Sequence, residues 1–168
     1  MTTFFSKAYG CLAGVALGDA LGRATEFLTR DQIHSHFGWL DHLAAPPDFH
    51  PAHAHPLGIV TDDTAQTLLI ANLLVRGETL TPENVAAALV KWSAEKSLQT
   101  NYLGPSTRRA LAQLKEGVSP RETGKRGTTN GAAMRVAAIG IVNAGNFERV
   151  LNDVIAASVP THNTRNAI

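Results

Sequence analysis

The sequence predicts an all-α fold, and three observations carry that expectation. No stretch sustains period-2 alternation with β-branched enrichment, the mark of a half-buried strand. Apolar residues recur instead at helical spacing, in segments that open on Thr, Asn or Pro and mostly close on Gly. A chain of 168 residues, 44% hydrophobic and 17% charged, is long enough for one domain with a sizeable core. Composition also narrows function. A formal net charge of +1 with no dense Lys/Arg run offers nucleic acid no focused basic surface. The single cysteine, Cys11, excludes an intramolecular disulfide and points to a reducing, cytoplasmic setting. In its small-residue helix it reads as inert packing.

The first helix is expected over Phe4–Leu21. Gly10, Gly14 and Gly18 are spaced by four and share one ridge. Each costs up to ~1 kcal/mol of helix propensity relative to Ala, which close approach of another helix backbone would offset. Lys7 and Asp19 bracket about 11 residues, short of the ~20 a membrane span needs. The segment also runs on into a motif rather than to a signal cleavage site. Thr29 caps a short helix to Phe37, stopped by Gly38. "GWLDHLAAPPDFHPAHAHPLG" is an irregular stretch rich in Pro and His, and so long a loop inside a compact domain has a purpose or is disordered.

The next helix opens at "TDDT" and closes at Arg76 and Gly77. Thr81 caps another, with Pro82 at its first position, extending to about Lys96. A further one covers about Pro105 to Glu116, with Ser106 as its cap and Gly117 as its stop. "SPRETGKRGTTN" is a loop or broken turn. "GAAMRVAAIGIVNAG" reads as one Ala-rich helix buried on most sides. Asn146 caps a helix to about Ser158, and Pro160 interrupts it. "THNTRNAI" begins a helix and leaves it unfinished, so the native polypeptide is expected to continue.

The chemistry gathers at "TDDTAQT", Thr61 to Thr67, where two carboxylates open a helix. Capping explains them in part. Thr61 accepts hydrogen bonds from free N–H groups, and Asp62 and Asp63 complement the helix dipole at ~0.3–1 kcal/mol each. The same groups suit a hard cation, because Mg²⁺ and Mn²⁺ take carboxylate, hydroxyl and water oxygens. Neighbouring helical residues point ~100° apart, but the backbone is freer at a helix start. There Thr61, Asp62 and Asp63 can fan toward one ion or two, provided more acids come from elsewhere. "GDALGRATE", Gly18 to Glu26, places Glu26 in the loop after the first helix. "RGTTNGAAMR", Arg126 to Arg135, puts a Gly/Thr/Asn loop before a helix, where backbone N–H groups can meet an anion such as phosphate. It is no P-loop, since the Gly-Lys-Ser/Thr ending is absent.

Other residues read more plainly. His50, His53 and His55 lack a helical scaffold and any nearby acid beyond Asp48, so an exposed loop rimming a cleft is expected rather than zinc. Trp39 and Trp92 read as core or rim packing, and Arg108 and Arg109 as a surface helix face within reach of phosphate.

Taken in order, "GCLAGVALGDALGRATE", "GIVTDDTAQTLL", "GPSTRRAL", "TTNGAAMR" and "PTH" resemble the ADP-ribosylglycohydrolase family, over nearly the whole chain. The resemblance implies a single compact all-α domain, 1–168, forming the N-terminal half to two-thirds of the family fold. It implies a pair of Mg²⁺ or Mn²⁺ ions in a central cleft. It implies hydrolysis of an α-linked ribosyl bond of ADP-ribose attached to a protein side chain or small acceptor. By position, Thr61, Asp62 and Asp63 match metal ligands, and Glu26 matches the acid that acts on the nucleophilic water. Gly127, Thr128, Thr129 and Asn130 match the loop that grips ribose and phosphates, and His162 matches a His at the substrate side of the cleft.

One departure stands out. The family carries a second acidic motif, D-x-D-T, near its C-terminus, whereas after Asp63 this chain has only Asp153. The metal site is thus expected to be half present. A C-terminal fragment or a second chain would complete it, or catalysis has been lost. Two other functions stay open: hydrolysis of a nucleoside or other small ribosyl glycoside, suggested by the lack of a clear adenine platform, and a crystallin-like structural or binding protein.

Overall fold

A computed structural model of the chain describes residues 3–50, 53–95 and 98–168. Among them the regular structure is helical, with no strand. The helices are α1 (Phe4–Gly22), α2 (Arg30–Phe37), α3 (Asp62–Val75), α4 (Pro82–Ala94), α5 (Pro105–Lys115), α6 (Pro120–Thr123), α7 (Ala137–Val142) and α8 (Phe147–Ser158). Short 3-10 turns occupy Leu98–Tyr102, Gly124–Arg126 and Ala133–Arg135.

Local chemistry sets most boundaries. Thr29 accepts from the Gln32 N–H while the Gln32 side chain accepts from the Thr29 N–H, a complete capping box for α2. Thr81 accepts from Asn84 N–H ahead of Pro82, and Asn146 accepts from Arg149 N–H at the start of α8. Gly77 follows α3 at φ 74° and Gly117 follows α5 at φ 85°, backbone that only glycine adopts without strain. The residues after Pro160 close one turn, with Ala167 and Ile168 N–H groups bonded to the Thr164 carbonyl.

Helix α3 is the hub. It packs against α1, α4, α7 and two of the 3-10 turns, while α4 also packs against α5 and α8. The core is Ile70 and Leu73 from α3, Val85 and Leu89 from α4, Leu111 from α5, Ile139 from α7 and Ala157 from α8, with Leu80 and Leu103 between helices. Each fully buried Leu, Ile or Val contributes ~1.5–3 kcal/mol, so this layer fixes where the first turn of α3 must lie.

Several expectations need correction. The glycine ridge of α1 has no helix against it: a Cβ at Gly10, Gly14 or Gly18 would meet nothing within 4 Å. Cys11, on the same helix, is exposed rather than packed. The segment 131–145 is not one helix. The Thr67 hydroxyl donates to the Met134 carbonyl at 2.7 Å, and Val136 N–H bonds back only to Ala133, so the chain turns in 3-10 geometry before α7 begins. Nor is it buried on most sides, because Val142 and Gly140 are exposed. Gly104, not Ser106, occupies the cap of α5, since Pro105 takes the first helical position. Trp39 is 83% exposed, so only Trp92 packs on the core. Helix α4 ends at Ala94; its expected end, Lys96, lies outside the described residues.

Candidate functional site

The first turn of α3 is held from outside. Asp19, in the last turn of α1, accepts from the Thr61 and Thr64 N–H groups through Oδ2 at 2.8 and 3.1 Å. The same oxygen accepts the Thr64 hydroxyl at 2.6 Å, and Oδ1 accepts the Thr61 hydroxyl at 2.8 Å. Thr61's own capping bond to Asp63 N–H is long, 3.4 Å. A carboxylate from another helix therefore takes two backbone donors at the start of α3, the Thr61 and Thr64 N–H groups. Sequence reading passed over Asp19. The available signal was an acid in "GDA" facing two threonines in "TDDT".

The acids at this helix start crowd together. Asp62 is buried, with Gln66 Nε2 donating to its Oδ2 at 3.0 Å. Burial first, and Asp63 beside it second, push its carboxyl up to about 7. Burial and then Asp19 raise Asp63. Burial, then Asp63 and Asp19, raise Glu26. Burial brings the fully buried Arg135 guanidinium down to about 10, and the Asp62 charge partly offsets it.

Glu26 sits in a turn pinned by the His-rich loop. The Nε2 of His50 bonds the Glu26 carbonyl at 2.7 Å, so His50 is buried rather than in an exposed loop as expected. His55 bonds the Tyr102 hydroxyl, and Arg23 donates to that hydroxyl at 3.3 Å. Next to Glu26, Phe27 holds φ at 63° with its ring 76% exposed at the mouth of the cleft. Such backbone is costly for a bulky residue and is tolerated where surrounding contacts enforce it.

The opposite wall is built by backbone contact. A Cβ at Gly124 would lie 2.1 Å from the Val159 carbonyl oxygen, and one at Gly127 would lie 2.1 Å from that of Thr161. Only glycine lets the loop lie on the Val159–His162 segment. Thr123 donates to the Pro160 carbonyl at 2.7 Å, Asn163 N–H to the Gly124 carbonyl at 2.8 Å, and Thr164 to the Gly127 carbonyl at 2.8 Å. This seats His162, 1% exposed, with Nε2 at 3.0 Å from the Thr129 hydroxyl.

Between the walls lies a cleft of about 1250 Å³, which Glu26, Asp62, Asp63, Thr129, Asn130 and His162 all line. A second groove of about 520 Å³ runs from Gly14 and Gly18 to Thr61, Asp63 and Glu26. Glu26 and Asp63 stand where the two meet. Seven of the nine residues singled out from the sequence thus border one or other of two cavities that share Glu26 and Asp63. Gly127 and Thr128 do not: Gly127 is buried against Thr161, and Thr128 is exposed away from both cavities. For a cation, Asp63 and Glu26 present carboxylates, while the Thr61 hydroxyl is already donated to Asp19. Among the described residues no three His, Cys, Asp or Glu side chains gather into a metal-holding set. Nor is any described helix long and apolar enough to cross a membrane.

Comparison with known proteins gives the chain's family. The chain is 34% identical over 166 residues to an uncharacterized protein of Escherichia coli, YegU, covering 96% of this chain and 50% of that protein. It is 32% identical over 167 residues to the ADP-ribosylarginine hydrolase Tri1 of Serratia proteamaculans, covering 93% and 42%. A solved chain described as an ADP-ribosylglycohydrolase-related protein complex superposes with a TM-score of 0.72 at 30% identity, covering 96% of this chain and 50% of that one. The chain therefore spans about half the length of the relatives it matches. With its whole length, residues 1–168, matching the family's description and its helices superposing on a solved relative, the chain belongs to the ADP-ribosylglycohydrolase family.

Proposed function

We propose that this chain supplies the N-terminal part of a hydrolase that cleaves the α-linked ribosyl bond of ADP-ribose attached to a protein side chain. The observation that carries the reading is the placement of Glu26 and Asp63 at the junction of the two cavities, lining the same cleft as Thr129 and His162. Cleavage at a ribosyl C1 passes through an oxocarbenium-like state, which carboxylates at short range stabilise. Asp62, brought up to about 7 by burial and its neighbours, can hold or release a proton near neutral pH, as general acid–base chemistry requires, and Glu26 is raised by the same causes. Glu26 is the group assigned to the attacking water. Thr129, Asn130 and His162 are assigned to the ribose and phosphates, with Gly127 and Thr128 as the support of that loop. The relatives named as ADP-ribosylarginine hydrolases favour arginine as the acceptor.

Two Mg²⁺ or Mn²⁺ ions are part of the proposal. Asp62 and Asp63, with Thr61, would form their near side, and the remaining ligands would come from a C-terminal segment or a second chain. When bound, such ions orient ribose hydroxyls and lower the pKa of bound water. The crowding of raised carboxyls suits a cation, which would relieve their repulsion. The sequence left an adenine platform unassigned; Phe27 and Tyr102 now border the cleft and favour ADP-ribose over a smaller ribosyl compound. The cytoplasm is the setting we propose.

The test is Mg²⁺-dependent release of ADP-ribose from ADP-ribosyl-arginine by the full-length protein. Asp62→Asn should lower turnover at least about 100-fold, in line with the loss of a site carboxylate. Calorimetry should show Mg²⁺ binding to the wild type and not to Asp63→Asn. Unchanged turnover in Asp62→Asn would return the acid pair to helix capping. Cleavage of free nucleosides in preference to ADP-ribosyl-arginine would replace the substrate.

A further inference from the structure

A buried chain of side chains runs behind the loop wall and has a direction. Arg135, 0% exposed, donates from Nη2 to the Thr161 hydroxyl oxygen at 2.8 Å. Thr161, also 0% exposed, has its Oγ1 2.8 Å from Nδ1 of His162. Nε2 of His162 lies 3.0 Å from the Thr129 hydroxyl at the cleft.

Guanidinium groups donate and never accept, so Thr161 must accept from Arg135. A hydroxyl has one hydrogen. If Thr161 also accepted from Nδ1–H, that hydrogen would be left buried with no acceptor among the described contacts, at a cost of ~1–3 kcal/mol. Directed to Nδ1, it satisfies both bonds. Nδ1 is then an acceptor, and the proton of the neutral imidazole sits on Nε2, aimed at Thr129. Two further facts support a neutral ring. Burial first, and Arg135 second, bring His162 down to about 4. Gly131 leaves the room the ring needs, since a Cβ there would lie 3.0 Å from Cε1 and Nε2.

We propose that Arg135 and Thr161 are positioning residues that hold His162 as its Nε2–H tautomer, so that Thr129 must accept from His162 and presents its own O–H as a donor to the cleft. The group it meets is an oxygen acceptor on the ligand, of the kind a phosphate or a ribose oxygen provides. That last clause rests on the ADP-ribose reading; the tautomer does not. Neither Arg135 nor Thr161 touches the cleft, and both act through His162.

The experiment is a long-range proton–nitrogen correlation spectrum of the His162 ring in the full chain at neutral pH, without ligand. The expected result is an Nδ1 shift typical of an unprotonated nitrogen, an Nε2 shift typical of a protonated one, and a slowly exchanging Nε2–H. The reverse tautomer, or an averaged pair of shifts, overturns the proposal. Thr161→Val removes the hydroxyl at nearly constant volume and should collapse the two shifts toward an average, with Thr161→Ser restoring the wild-type pattern. A Thr161→Val spectrum identical to the wild type also overturns it. Should Thr161→Val fail to fold, the wild-type and Thr161→Ser spectra still decide. Failure of wild-type protein to bind ADP-ribose while the tautomer stands would sink the substrate reading alone.

Discussion

Two glycine series in this chain look alike in sequence and do opposite things. Gly10, Gly14 and Gly18 recur every four residues along α1, and a Cβ on any of them would meet nothing within 4 Å. Gly124, Gly127 and Gly131 recur along the loop, where added Cβ atoms would come to 2.1, 2.1 and 3.0 Å of neighbouring atoms. On α1 the missing side chains leave a groove that ends at Asp63 and Glu26. In the loop they let the backbone lie on Val159–His162 and seat the histidine. A glycine period therefore says that side chains are absent for a reason, without saying whether the reason is contact or open space.

The largest effect should come from the loop. Gly127→Ala forces a Cβ onto the Thr161 carbonyl, where both sides are backbone and neither can yield cheaply. We expect a loss of about 3 kcal/mol in urea unfolding, the upper range for overpacking. A loss under ~0.5 kcal/mol would mean the loop stands off the histidine segment in solution. Next is Asp19→Ala, which leaves the Thr61 and Thr64 donors without their acceptor. We expect about 2 kcal/mol of destabilisation. The Glu26 and Asp63 carboxyls should also titrate lower, because Asp19 is one of the charges raising each. Carbon-detected titration of the two carboxyls would check it.

A subtler contrast is electrostatic. His162 is held down to about 4 in the fold against about 6.5 when unfolded, so between those values the unfolded chain binds more protons. Its contribution to stability is present above about 6.5 and is lost as pH falls toward about 4. Asp62 behaves oppositely. Raised from 3.8 to about 7, it contributes fully at the acid end and loses that contribution as pH rises through about 7. The slope of stability against pH between 4 and 6.5 should therefore be less positive in His162→Gln than in the wild type. Parallel slopes would show that the loop wall does not depress the imidazole. The smallest effect belongs to α1. Gly14→Ala should raise stability by ~0.5–1 kcal/mol, because helix propensity improves and nothing is displaced. Destabilisation instead would mean that something in solution packs on that ridge.

Helix positions were largely legible, because Thr29, Thr81, Asn146, Pro82 and Gly117 act within one turn of themselves. The single helix expected across 131–145 was misread because the bond that breaks it, Thr67 to the Met134 carbonyl, joins positions 67 residues apart. The same holds at the site. "TDDT" announces acids at a helix start, but the acid that caps them is Asp19, 42 residues earlier. Arg135 was visible only as the end of "TTNGAAMR"; its place behind Thr161 depends on a fold that brings 135 and 161 together.

The amino-acid order by itself determined what local forces can settle: an all-α chain, its capped helices, and the ordered motifs that place it in its family. The tertiary structure alone decided which side chains share a space and in which direction their proton affinities move. It set Glu26 and Asp63 at the junction of two cavities, buried Asp62 among other carboxylates, and turned His162 toward Thr129. Capping and propensity act over a few residues, whereas burial, repulsion and hydrogen-bond direction depend on neighbours that only the folded chain supplies.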